Sequence, residues 1–164
     1  MMLSRVLFVS IVCAFAAGCG SDSNPSGPAP ATPAVEGTWT GEYVVASCTD
    51  PTGLGLCAAY SPVGAVLPVR LGLSQTGQQL TGNLVLGVFI IPITGTINAA
   101  GRMVLTGSAS GLLQGQQTTA TIVNWDTVVT GSNMTGGWRN TFAISGVSGS
   151  PFFDSTIRLL TKMG

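Results

Sequence analysis

Apolar and polar residues alternate along short stretches of the chain from residue 35 onward, and glycines interrupt these stretches. In the clearest stretch every second residue is apolar: Leu67, Val69, Leu71 and Leu73. A period of two residues is typical of β-strands with one buried face, and no stretch shows the 3.6-residue period of an amphipathic helix. The pattern therefore predicts a domain that is nearly all β.

About eight such stretches are predicted to be strands, mostly joined by tight turns. They are 38–46, 67–75, 79–86, 91–98, 102–108, 118–130, 134–145 and 155–162. Eight antiparallel strands in sequence order can close on themselves and leave no free edge. We therefore predict an up-and-down β-barrel, with a two-sheet β-sandwich as the alternative.

An apolar residue followed by Thr-Gly recurs through the predicted strands, at 80–82, 93–95, 105–107, 129–131 and 134–136. Glycine inside a strand permits sharp coiling, and threonine suits a pleated outer surface. The spacing is too irregular for a solenoid, which needs a fixed period. The pattern is thus typical of a small closed sheet.

The N-terminal segment has the composition of an export signal. Arg5 precedes the apolar run 6–17, which is long enough for a signal peptide but too short to span a bilayer. The run ends in Ala16-Ala17-Gly18-Cys19, which resembles the lipobox of bacterial lipoproteins, with Ala16 in place of the usual Leu. The resemblance implies cleavage before Cys19 and acylation of that cysteine. An ordinary signal peptide is the alternative.

Residues 20–34 are rich in Ser, Pro and Ala, so we expect a flexible spacer there. The predicted parts are a signal peptide (1–18), the lipidated Cys19 with its linker (19–34) and the β-barrel domain (35–164). We expect an exported protein, lipid-anchored to the membrane of the cell envelope. Gly20, rather than Asp, follows the cysteine, and by resemblance to lipoproteins of diderm bacteria this implies the outer membrane.

The first and last predicted strands resemble those of a known fold. Gly37-Thr38-Trp39 is similar to the Gly-x-Trp opening of lipocalins and avidins, and Arg158 matches the basic residue that packs over this Trp in lipocalins. The resemblance implies a calycin barrel over 35–164, closed at one end by a cation–π contact between Trp39 and Arg158. Gly41 stands where avidins have an Asn, so biotin is not implied as the ligand.

Cys48 and Cys57 flank a loop that contains Gly and Pro, in a chain expected to be exported. Thiols oxidise outside the cytoplasm, so we predict a disulfide between them, with free thiols as the alternative. No metal site and no cofactor are expected, because the chain has no His and the domain has no further Cys.

Trp125 and Trp138 lie on adjacent predicted strands and point to the same side if the turn has two or four residues. Phe142, Met134 and Val123 are predicted to share that side. Core packing is the favoured interpretation, because small barrels are often filled by their own side chains. The alternative is a pocket for an apolar or ring-bearing ligand, lined by Trp125, Trp138 and Phe142.

Charge and composition narrow the possible functions. Charged residues make up 7% of the chain, the formal net charge is zero, and no basic run is present, so nucleic acid is not an expected partner. Glu42 and Asp126 are predicted to face outward, and a hydroxyl nucleophile would lack a base. We therefore expect no enzyme activity.

Two functions remain open. The first is a binding module that holds a small apolar ligand, which an interior cavity of several hundred Å³ would favour. The alternative is an interaction protein with a solid barrel, whose loops 47–66 and 146–154 grip an envelope protein or another macromolecule. Exposed side chains of Phe152 and Phe153 would favour this alternative.

Overall fold

The computed structural model describes residues 31–164, in which eight strands form one closed antiparallel barrel. Each strand pairs with the next along the chain and β1 pairs with β8, so the predicted up-and-down barrel is confirmed and the sandwich is not formed. The elements are β1 (Gly37–Thr49), α1 (Leu56–Tyr60), β2 (Val66–Thr76), β3 (Gln79–Leu86), β4 (Phe89–Ile97), β5 (Arg102–Leu113), β6 (Gln116–Thr130), β7 (Asn133–Ile144) and β8 (Phe152–Lys162). Cys19 lies outside the described residues. Within them, no helix is long and apolar enough to cross a membrane.

The barrel interior is filled by the apolar residues that the alternation placed on one face. Leu71, Leu84 and Ile91 are completely buried, and the inward residues of the other strands join them in one core. Burial of such side chains contributes about 1.5–3 kcal/mol each. The alternation of apolar and polar residues therefore supplies the buried side chains that stabilise the barrel.

Glycines inside the strands allow neighbouring backbones to approach closely. A Cβ on Gly82 would overlap the carbonyl oxygen of Gly72, and one on Gly95 would overlap that of Val104. Gly107 and Gly136 face similar obstacles, whereas Gly131 lies in a turn with φ 60°. The glycines of the recurring Thr-Gly pairs that lie within strands thus permit close approach of neighbouring backbones, and their predicted role in coiling stays a prediction.

A β-bulge in β6 shifts the phase of the alternation. The register with β7 slips between Ile122 and Asn124, so Val123 has no partner and its side chain is 53% exposed. An extra residue in a strand turns the following side chains to the other face. The prediction that Val123 shares the inner side with Trp125 is therefore wrong.

One end of the barrel is closed by the segment that leads into β1. Trp39 is completely buried, and its indole N–H donates to the Val35 carbonyl oxygen at 2.9 Å. The Val35 N–H donates to Gln75 Oε1 at 2.7 Å, and Gln75 Nε2 donates to the Pro33 carbonyl oxygen at 3.0 Å. These bonds satisfy polar groups at the base of the core. We call the end of the barrel that contains Trp39, Val35 and Gln75 the closed end.

The predicted contact between Trp39 and Arg158 is not formed. Lys162, not Arg158, is the β8 partner of Trp39. Arg158 is the extra residue at a second bulge, opposite the step from Glu42 to Tyr43, and it is exposed. The bulge sets the register of β8 and leaves Arg158 on the outer face, so hydrogen bonds to the backbone stabilise Trp39 instead.

The opposite end carries the long β1–β2 loop and the predicted disulfide. Cys48 and Cys57 are bonded, with their Cα atoms 5.8 Å apart. Asp50 accepts hydrogen bonds from the backbone N–H groups of Thr52 and Leu56, and α1 follows. A bridge that closes so short a loop contributes about 2–3 kcal/mol. It holds α1, which the sequence pattern did not predict, against the barrel.

The outer face carries two ion pairs. Arg102 and Asp126 lie 2.7 Å apart, as do Arg139 and Asp154. Hydrogen bonds from these guanidinium groups lower the pKa of both carboxyls below the usual value. By contrast, no charged residue stands between Arg70 and Arg102, a stretch that includes all of β3 and β4.

The close approach at Gly82 gives a testable prediction. Gly82→Ala should lower the free energy of unfolding by about 2–3 kcal/mol, because its Cβ would meet backbone that cannot move without loss of pairing. Gly72→Ala is the matched control, since the nearest atom to its Cβ, Asn83 O, is 4.0 Å away. Urea unfolding followed by tryptophan fluorescence measures both. Equal effects of the two substitutions would contradict the packing described here.

Candidate functional site

A cavity of about 170 Å³ lies at the end of the barrel that carries the disulfide, which we call the mouth. Its walls come from the ends of strands and from the loops there, including Tyr60 and Ser61 in and after α1 and the β3–β4 turn at Gly87 and Val88. The cavity is smaller than the several hundred Å³ expected for a binding module, and smaller than the range of about 300–1,000 Å³ that drug-sized ligands occupy. Any occupant must therefore be small.

Aromatic rings form much of the cavity wall, with Phe142 at their centre. The Phe142 ring centroid lies 5.7 Å from that of Phe89, 5.4 Å from that of Phe153 and 6.2 Å from that of Tyr60. Such separations are typical of tilted and edge-to-face pairs, which hold rings in defined orientations. The wall is therefore apolar and ordered before any ligand binds.

The floor of the cavity rests on stacked tryptophans. Tyr43 lines the cavity, and its ring lies 4.8 Å from that of Trp138. Trp138 stacks on Trp125 at 4.8 Å with an interplanar angle of 11°. The Trp125 indole N–H donates to Thr127 Oγ1, and the Trp138 indole N–H donates to Asn140 Oδ1. Both rings are buried in the core next to Tyr43.

Polar groups occupy one side of the cavity. Ser155 and Asn140 line it and are 4% and 5% exposed. Asn140 Oδ1 accepts from Trp138, and this leaves the Nδ2 group as a donor at the cavity wall. The Ser155 hydroxyl oxygen is buried and has no hydrogen-bond partner among residues 31–164. Unpaired buried hydroxyls are rare and need an explanation.

Tyr43 adds a hydroxyl to this site. Its side chain is 8% exposed, and burial raises the pKa of the phenol to about 12. Burial disfavours the charged form, so the phenol stays protonated well above neutral pH. Tyr43 is therefore a neutral hydrogen-bond donor at the cavity floor.

None of the residues that line the cavity is charged. Among residues 31–164, no three Cys, Asp or Glu side chains lie close enough together to share a metal ion. The chemistry of the site is thus apolar contact and neutral hydrogen bonding.

Of the three predicted ligand-binding residues, one lies on the cavity wall and two lie in the core. Phe142 lines the cavity, whereas Trp125 and Trp138 form the packed stack beneath it. Core packing, the favoured interpretation, thus describes the two tryptophans. Phe152 and Phe153 do not form an exposed pair: Phe153 is 1% exposed, and Phe152 packs under the Arg139 guanidinium at 5.0 Å.

Most of the cavity residues were not predicted from the sequence. Tyr43 and Ser155 sit in the inward phase of β1 and β8, so alternation alone places them inside the barrel. Nothing in the alternation shows that they border empty space, and Tyr60 belongs to a helix too short to leave a periodic signal.

Comparison with known proteins shows no family for this chain. No family model matches it, and no curated protein matches it. The closed up-and-down barrel is consistent with the calycin-like fold that Gly37-Thr38-Trp39 indicates. Because one fold hosts many functions, the function has to be inferred from the site itself.

The burial of Tyr43 predicts a specific dependence on pH. Its pKa is higher in the folded chain than the ordinary value of 10.0, so its stabilising effect is complete below pH 10 and is lost as pH rises towards about 12. Tyr43→Phe should reduce the loss of folding free energy between pH 10 and about 12 by about 2–3 kcal/mol. Ultraviolet titration of tyrosinate, as a wild-type minus variant difference, measures the midpoint. A midpoint near 10 would contradict the burial.

Proposed function

We propose that this chain is a membrane-anchored binding protein whose barrel holds a small, mainly apolar ligand in the cavity at the mouth. The observation that carries the proposal is the cavity itself, which has ordered aromatic walls above an otherwise filled barrel. A pre-formed apolar concavity with a few polar groups is the usual form of a small-molecule site. The carboxylates of the two ion pairs lie outside it, which favours binding over catalysis.

Exposed apolar side chains around the mouth support this function. Leu54 and Val63 on the β1–β2 loop are 62% and 60% exposed, and Val88 in the β3–β4 turn is 68% exposed. Apolar side chains on a rim lower the cost of bringing an apolar molecule from water to the cavity. The rim and the wall therefore favour the same class of ligand.

The chain enters the barrel at the closed end, which is opposite the mouth. The end of the linker and the first residue of the domain reach the barrel at the closed end, where Pro33 and Val35 bond to Gln75. A lipid on Cys19 would therefore tether the closed end and leave the mouth free to exchange ligand with the surrounding solution. Acyl chains buried in a bilayer provide stable anchoring when more than one is present.

Ligand binding can be tested with toluene as the probe, followed by ligand-observed NMR. We expect a dissociation constant in the micromolar to millimolar range. Leu67→Trp should abolish binding, because Leu67 lines the cavity and a larger side chain would fill it. Val66→Trp is the matched control on the outer face, where the native side chain is 41% exposed. Absence of binding by the wild-type domain to toluene and to longer apolar molecules would reject the function.

The anchor can be tested separately in bacterial cells. Cys19→Ser should move the protein from the membrane fraction to the soluble fraction, because the serine cannot accept a thioether-linked lipid. Cys48→Ser is a useful control, since it removes a different cysteine and leaves the leader intact. Retention of the Cys19→Ser protein in washed membranes would contradict the lipid anchor and leave the cavity unaffected.

A further inference from the structure

The cavity is two-sided, and its polar side is built from three adjacent strands. Ser155 of β8 pairs with Trp138 of β7 and with Val45 of β1. Asn140 lies two residues beyond Trp138, and Tyr43 lies two residues before Val45, so both are diagonal neighbours of Ser155. Diagonal neighbours on one face of a sheet lie within reach of long side chains. One hydroxyl, one phenol and one amide therefore converge on the same part of the cavity.

The opposite side of the cavity is apolar. It is formed by Leu86, Phe89 and Leu113 at the ends of β3, β4 and β5. In an eight-stranded barrel with this strand order, β4 lies across the interior from β8. The lining residues of β3, β4 and β5 are thus all apolar, whereas those of β1, β7 and β8 include the three polar side chains.

Ser155 on the polar side has a hydroxyl group without a hydrogen-bond partner in the described chain. Ser155 lines the cavity, and its hydroxyl oxygen is buried. Leaving a buried hydroxyl unpaired costs free energy that a bound hydrogen-bonding group would recover. Asn140 Nδ2 and the hydroxyls of Ser155 and Tyr43 can each donate a hydrogen bond, and the two hydroxyls can also accept one. A complementary ligand supplies an acceptor oxygen.

We propose that the cavity selects a neutral, single-ring molecule with one hydroxyl or carbonyl oxygen, which Ser155, Tyr43 and Asn140 bind while the ring packs on Phe89 and Phe142. This inference rests on the proposed function and specifies its ligand. The volume of the cavity limits the ligand to a single ring, because a cavity of about 150 Å³ lined by apolar side chains accommodates benzene. The uncharged lining excludes a carboxylate, which would lose its hydration without a compensating cation.

The test compares three probes that differ at one substituent: toluene, benzyl alcohol and benzoate. We expect the wild-type domain to bind benzyl alcohol at least about five-fold more tightly than toluene, and benzoate not at all. Ser155→Ala should remove most of this preference by weakening benzyl alcohol binding, with toluene binding unchanged. Thr156→Ala, an exposed position on the same strand, should leave all three affinities as they are.

Each outcome has a separate meaning. Equal affinities of the wild-type domain for toluene and benzyl alcohol would overturn the inference but leave an apolar-ligand function intact. Tight benzoate binding would overturn the neutral ligand class. Absence of binding by all three probes would overturn the inference, and it would reject the proposed function as well if longer apolar molecules also fail to bind. The unfolding midpoint of Ser155→Ala gives an independent readout: it should stay level or rise, and a clear fall would show that the hydroxyl serves the fold instead.

Discussion

The antiparallel pairing of β1 with β8 is the interaction on which the rest of the molecule depends. Without it the eight strands would form an open sheet, and the face that carries Trp39, Leu71 and Ile91 would be exposed to water. Closure buries that face inside the barrel. It also gives hydrogen-bond partners to the backbone N–H and C=O groups on the edges of β1 and β8. The closed end, the tryptophan stack and the mouth all exist because this seam forms along nearly the whole length of β1.

The alternation of side chains was enough to predict the barrel and most of its strands, because a period of two can be read without knowledge of tertiary contacts. It failed where the period itself is broken. Val123 and Arg158 are the extra residues of two bulges, and a bulge is stabilised by the pairing of two strands rather than by either strand alone. The loss of the expected contact between Trp39 and Arg158 follows from one such slip.

The candidate site was predictable only in part. Phe142 was identified because it shares the inner face with the tryptophans, but the boundary between filled core and open cavity depends on side-chain volumes at several strand ends. The β1–β2 loop adds to this difficulty. A helix of five residues has no stability of its own, since helix nucleation is unfavourable. The position of Tyr60 depends on the disulfide and on the hydrogen bonds that the Asp50 carboxylate accepts from backbone N–H groups. No local sequence pattern predicts either of these.

The charge-free stretch between Arg70 and Arg102 has a consequence for the lifetime of the protein. Natural sheets use charged residues at strand edges to discourage association with other chains. In this molecule β3 and β4 have none, and their backbone groups are covered instead by a neighbouring strand on each side. Separation of β1 from β8 would free the edges of those two strands, which carry Glu42, Asp154, Arg158 and Lys162, and would leave β3 and β4 paired. The uncharged strands therefore become available to a second copy only when pairing is lost beyond the seam, so aggregation requires deeper unfolding than the opening of one strand pair.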